Sequence, residues 1–283
     1  DKAASIVVGG ASIANLLLAF NYQRDPNGLG VFFLLSFLGM AILLGFALED
    51  LLERLSRPII GVLLVCLIPV SVIANNYSHA DRSGVWTAHT YGTDILAALP
   101  YGAMLISEGD DASYCIDYLQ RIEGKRPDLR LINRIGRGKD ILSKEDQHLA
   151  LPLQYKKRRQ YERELLNQAT FPIYYLYARA MLSKDHVFVP AGLVYRVWPK
   201  NKTLPDSLGP QIPMENALIE KGKSDPWIRK IQSNYWFMQG ENLLAKGKNK
   251  EGQKAFYQAA KLAYDSRTML FNVAIKLLEV KDL

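Results

Sequence analysis

The 283-residue chain is poor in cysteine and histidine, with two of the first and four of the second. Cys66 lies in an apolar run and Cys115 about fifty residues later in a mixed segment. They are badly placed to pair and too few for a metal cluster of their own. His79, His89, His148 and His186 form no i, i+3 or i, i+4 pair, and no cysteine or carboxylate spacing completes a metal site. The nucleophile-elbow, Walker and six-residue dinucleotide glycine patterns are absent. Arg134-Ile135-Gly136-Arg137-Gly138 reads as a turn. No metal and no cofactor is expected. A third lack is local: residues 3–23, 26–48 and 58–80 hold no Asp, Glu, Lys or Arg, so charge-free runs fill 67 of the first 80 positions. That excludes a simple soluble domain, and with it disorder and a disulfide scaffold.

About 20 apolar residues cross a bilayer as a helix. The runs predict a transmembrane region over residues 1–78, with three spans at about 3–20, 31–48 and 59–74. Gly9, Gly10 and Ser12 in the first, and Ser36, Gly39 and Gly45 in the second, permit close helix contact. Pro69 is expected to kink the third. Lys2, Arg54 and Arg57 flank one side, and Arg24 and Arg82 the other. The positive-inside tendency then places everything after residue 78 outside the cytoplasm, at a bacterial inner membrane or an endomembrane. The chain begins at Asp1 with no initiating Met, so processing, or excision from a longer protein, is expected.

Residues 79–200 alternate between short strand-like and helical runs. Ala88, Tyr91, Ile95 and Leu99 predict an amphipathic helix over Thr87–Leu99, ended by Pro100. Residues 103–107 read as a strand, 112–122 as a helix stopped by Gly124, and 129–133 as a second strand. This βαβ pattern implies a parallel pair with a right-handed crossover. Phe171–Tyr177 and His186–Trp198 add strand-like runs, so a small α/β, Rossmann-like domain is expected.

Glu108, Asp110 and Asp111 fall where a strand ends and a helix begins, the place where open α/β sheets bind ligands. They suit a cation or sugar hydroxyls, or else plain capping of the helix. Residues 121–163 carry 13 Lys plus Arg against 6 Asp plus Glu. The densest part, Lys156-Lys157-Arg158-Arg159, suits lipid headgroups or the phosphate of a lipid-linked sugar, or is a solvated helix face. Nucleic acid fits poorly with a domain tied to the outside of a membrane.

Residues 201–226 read as a proline-rich linker, and residues 227–283 as helices. Trp236, Gly240, Gly247, Phe256 and Ala259 fall at tetratricopeptide-like spacings, although Gly252 and Tyr264 depart from that pattern. Gly240 is expected to let one helix pack closely on its partner, with Phe256 and Ala259 facing back. One and a half repeats must lean on the middle domain or on a protein partner.

Several motifs carry a family resemblance. They are Asp81-Arg82-Ser83, Leu99-Pro100-Tyr101-Gly102-Ala103, Gly109-Asp110, the run Tyr118 through Asp128, and Gly192-Leu193-Val194-Tyr195-Arg196 with Pro199. Together they resemble GT-C-type polytopic membrane glycosyltransferases, the group that includes the transmembrane protein O-mannosyltransferase of animal cells and bacterial relatives. The resemblance covers roughly residues 18–200. It implies transfer of a sugar from a lipid-phosphate donor to a protein hydroxyl, with the catalytic carboxylate in a first extracytoplasmic loop. Here the first loop holds only Asp25 and matches no catalytic loop. The family commonly has Asn and Asp after its Gly-Asp, where this chain has Asp111 and Ala112. The chain is therefore expected to be the carboxy-terminal part of such an enzyme, supplying an anchor and an acceptor- or partner-binding domain, with the catalytic portion elsewhere. The alternative is a non-catalytic, membrane-anchored docking subunit of a larger complex. Membrane lipid, a lipid-phosphate sugar and a protein bound by the last helices are the expected partners.

Overall fold

The computed structural model describes residues 2–21, 33–54, 58–108, 110–134, 140–178, 185–204, 209–217 and 226–281. The chain forms two compact units, residues 1–84 and residues 85–283.

The first unit holds α1 (Lys2–Asn21), α2 (Leu34–Glu53) and α3 (Pro58–Ala80). The expected three transmembrane helices are not what the fold contains. Among the described residues one helix, over Gly61–Ser78, is long and apolar enough to cross a bilayer. The apolar part of α1 stops at Leu18. Helix α2 continues past its apolar run into Glu49, Asp50 and Glu53. An apolar run counted along the chain is longer than the apolar stretch that one helix carries, and crossing depends on the second. Helix α1 meets α2 through small polar residues: the Ser36 hydroxyl lies 2.7 Å from Asn15 Oδ1 and 3.0 Å from the Ser12 carbonyl oxygen. Gly39 faces Ser12 with no room for a Cβ, whereas Gly9, Gly10 and Gly45 meet nothing nearby.

In the second unit a five-stranded sheet has the order β2-β1-β3-β5-β4. The strands are β1 (Met104–Ser107), β2 (Arg130–Asn133), β3 (Ile173–Tyr175), β4 (His186–Ala191) and β5 (Val194–Pro199). Strand β1 runs parallel to β2 and to β3, while β5 is antiparallel to both β3 and β4. The sheet is therefore mixed, which corrects the Rossmann-like expectation. The departure comes from the run His186–Trp198, which turns back on itself at Gly192 and Leu193. Gly192 has φ +64°, the left-handed value a tight hairpin asks of its first central residue.

Helix α4 (Thr87–Ala97) and α5 (Asp110–Arg121) supply the apolar cover. Ala112, Ile116 and Leu119 recur at helical spacing on α5 and are buried, while Tyr114 and Tyr118 between them are exposed. Gly92 lets α4 approach Leu119 and Cys115 of α5. Helix α6 (Leu151–Gln168) precedes β3. The chain ends in α7 (Pro226–Ala245), α8 (Asn249–Leu262) and α9 (Arg267–Lys281). Helix α7 closes with a Schellman motif: Lys248 N–H donates to the Leu243 carbonyl at 2.9 Å and Gly247 N–H to Leu244 at 2.8 Å, with Gly247 at φ +73°. Gly240 lies under the Phe256 ring, where any side chain would collide. One core runs through sheet and helices, from Leu105 and Leu176 to Tyr235, Phe256 and Val273.

Candidate functional site

The carboxyl ends of β1, β2 and β3 lie at one edge of the sheet. The chain leaves β1 toward β2 on one side and returns to β3 on the other, so the strand order switches at β1. Such a switch opens a crevice beyond the strand ends, where α/β sheets hold ligands. Arg134 follows β2 at this edge. Its Nε lies 3.2 Å from Glu162 of α6 and its Nη1 3.5 Å from Glu108. The other oxygen of Glu162 accepts from the Tyr175 hydroxyl at 2.6 Å. Burial, and then the Glu162 carboxylate, push the Tyr175 pKa far above the phenolic range, so it stays a donor. Two carboxylates thus flank one guanidinium. Beside it, on the α5 face, a cleft of about 150 Å³ is lined by Ser107, Ser113, Asn133, Asp117, Gln120 and Arg121. Ser113 donates to Ser107 across its floor at 2.9 Å.

Of the acidic trio expected here, Glu108 is half-buried and bound to Arg134. Asp110 and Asp111 open α5, where carboxylates favour the helix dipole, and their side chains lie outside the described residues, as does Gly109. The basic tetrad divides. Arg158 is buried and donates to both oxygens of Asp140, at 3.3 and 2.7 Å. Lys157 reaches Asp146 at 3.7 Å, while Lys156 and Arg159 are exposed. The edge and the tetrad are therefore two separate features. Asp25 lies outside the described residues. Among the described residues, no three His, Cys, Asp or Glu side chains come together as a metal site.

Two of the motifs that carried the resemblance, Leu99–Ala103 and Tyr118–Asp128, meet in space and hold one another. Arg126 donates to the carbonyls of Leu96, Leu99 and Pro100 at 2.6, 2.8 and 3.0 Å, covering the open end of α4. It also binds Asp128 with two hydrogen bonds, and Asp128 accepts from Gly102 N–H at 3.0 Å. The Arg126 hydrogen bonds hold the Asp128 carboxyl well below the usual carboxylate range. Gln120 donates to the carbonyls of Arg126 and Leu129. Glu123 accepts from His89 at 3.0 Å and from Lys125 at 2.8 Å. Arg126 has φ +50°, a rare value for a residue other than glycine and one that the following proline disfavours further. Its five side-chain hydrogen bonds offset that strain.

A second polar group joins α7 to the sheet. Asn242 pairs with both the N–H and the carbonyl of Gly192, at 3.2 and 2.9 Å. Asn234 bonds to Tyr91, and Tyr235 donates to Asp94 at 2.6 Å. Glu241 accepts from Tyr195 at 3.1 Å and from Lys276 of α9 at 3.3 Å. Burial raises the Glu241 pKa, against the pull of Lys276 and Tyr195. Sequence reading misses Arg134, Glu162 and this polar side of α7. Arg134 had a local signal, a charge directly after a strand. Glu162 had none, since a lone acid near several bases reads as a solvated face.

No family model matches the chain, and neither a curated protein nor a solved structure matches it.

Proposed function

We propose that the chain is the non-catalytic, carboxy-terminal part of an integral-membrane glycosyltransferase resembling the protein O-mannosyltransferases. In this reading α3 attaches it to the bilayer, and the unit after residue 84 holds an acceptor hydroxyl or the lipid-linked sugar outside the cytoplasm. One observation carries the reading. Arg126, Asp128, Gln120 and Gly102, which bear the resemblance, direct their hydrogen bonds to each other and to backbone. They frame the domain and leave chemistry to another segment. At the opposite, carboxyl ends of the strands, Glu108 and the Ser107–Asn133 cleft offer carboxylate and hydroxyl acceptors suited to a sugar's hydroxyl groups.

The test is binding set against turnover. The purified chain should bind a mannosyl-phosphate lipid or a Ser/Thr peptide saturably, with Glu108→Gln weakening binding about tenfold, and should transfer no sugar. Transfer by the chain alone, abolished by Asp25→Asn, would sink the proposal. Orientation has its own check. A thiol introduced at Lys248 should react with an impermeant reagent on intact cells, and reaction only after permeabilisation would reverse the topology.

A second reading, a docking subunit of a membrane complex, is favoured by α9. Phe271 is 66% and Leu278 62% exposed on this helix.

A further inference from the structure

Helix α6 presents a face that the fold leaves unused. Arg158, Glu162 and Leu166 point inward at i, i+4, i+8. On the outer side Lys156, Arg159 and Arg163 follow at i, i+3, i+7, all exposed. Their only described side-chain bond runs from Arg163 Nε to the Arg159 carbonyl at 3.2 Å, and no described carboxylate pairs with them. At the amino-terminal end of the same helix Leu151, Leu153 and Tyr155 are 65, 50 and 63% exposed. Three large apolar side chains at one end of a surface helix, followed by three cations with no carboxylate partner among the described residues, make poor sense against water. They suit a boundary where hydrocarbon gives way to phosphate.

We propose that α6 lies on an anionic bilayer surface, with Leu151, Leu153 and Tyr155 entering the headgroup layer and Lys156, Arg159 and Arg163 meeting lipid phosphates. The assignment divides the basic tetrad by geometry. Lys156 and Arg159 face the lipid together with Arg163, while Arg158 and Lys157 hold Asp140 and Asp146 and take no part. The occupant follows from charge and from tethering. The face is purely cationic, and six residues separate Ala80, the end of α3, from α4, so a bilayer crossed by Gly61–Ser78 would hold this unit on a short tether. The inference therefore rests on the membrane attachment proposed above. It does not depend on the glycosyltransferase reading.

The test uses the full chain with Cys66→Ser and Cys115→Ala. Leu153→Cys then carries an environment-sensitive fluorophore, and Tyr257→Cys on α8 serves as the control. With phosphatidylcholine vesicles containing phosphatidylglycerol, the label at 153 should shift to the blue. With phosphatidylcholine alone it should shift little, and the control should not respond. Replacing Lys156, Arg159 and Arg163 together by Gln should reduce the shift to that seen with phosphatidylcholine alone, and raised salt should do the same. Equal responses to both lipids, or an unchanged triple variant, would overturn the proposal. Reversal by inorganic phosphate at constant ionic strength would overturn it in favour of a free-phosphate site. A response to polyglutamate but not to vesicles would assign the face to an acidic protein instead. Flotation in high salt separates the two readings, because a chain that fails to float lacks the span while the label still reports on α6.

Discussion

The two units differ in what they bury: small polar residues in the first, a large apolar core with paired polar groups in the second. In residues 1–84 the buried groups include Ser12 and Ser36, while Ile6, Leu63 and Ile73 stand outward. In residues 85–283 Leu105, Ile95 and Phe256 are fully buried and cations cover the surface. Water selects the second arrangement, since apolar area removed from it contributes about 25 cal/mol per Å². Hydrocarbon has no such preference and favours small and polar residues where helices touch. The polarity of burial therefore differs between the units, and the outward apolar side chains of the first are what the proposed membrane attachment would cover.

The comparison can be broken at a single residue. Arg126→Ala removes the cover from three carbonyls and the partner of Asp128. We expect a loss of about 2–4 kcal/mol, measured by chemical denaturation, with Ser36→Ala in the first unit costing under about 1 kcal/mol. Arg126→Gly should lose about 1 kcal/mol less than Arg126→Ala, because glycine accepts φ +50°. Equal losses would remove the strain from the account. The next effect concerns glycines. Gly240→Ala drives a Cβ into the Phe256 ring and should cost about 1–3 kcal/mol, whereas Gly9→Ala meets open space and should be neutral or gain up to about 1 kcal/mol.

A smaller and pH-dependent effect follows from Asp128. Its carboxyl is held below its unfolded value, so its stabilisation is complete above about pH 5 and fades as pH falls through the folded value. Thermal melts at falling pH should show the wild type losing stability faster than Asp128→Asn. Parallel curves would refute the linkage. The smallest expected effect is at α9. Phe271→Ser with Leu278→Ser should change stability by less than about 1 kcal/mol and yet release any partner docked there. A large drop in melting temperature would mean that the face is covered within the chain.

Local elements were legible wherever a stop signal and a period coincided. The strand expected over 103–107 spans Met104–Ser107, and Gly124, which ends the helix before it, has φ +66°. The close approach at Gly240 was readable because only glycine fits opposite a ring. The number of spans was not readable, because hydropathy counts residues while crossing depends on where each helix begins and ends. Arg158 was hidden by its neighbours. A run of four cations shows no face until the helix phase and Asp140 are known. Arg134 and Glu162 meet only after α6 has returned to the sheet, and periodicity carries no information about such long-range partners.

The Asn242 clamp on Gly192 also has a meaning in time. A ribosome adding about 5–20 residues per second delivers that side chain roughly 3–10 s after the hairpin tip it closes, because fifty positions separate them. Tyr91 waits for Asn234 across 143 positions, roughly 7–30 s. Throughout that interval the nascent sheet shows unsatisfied polar groups and an uncovered apolar side. Synthesis order makes α7 the piece whose arrival ends the exposure, so a stalled chain lacking it is the form that chaperones should hold.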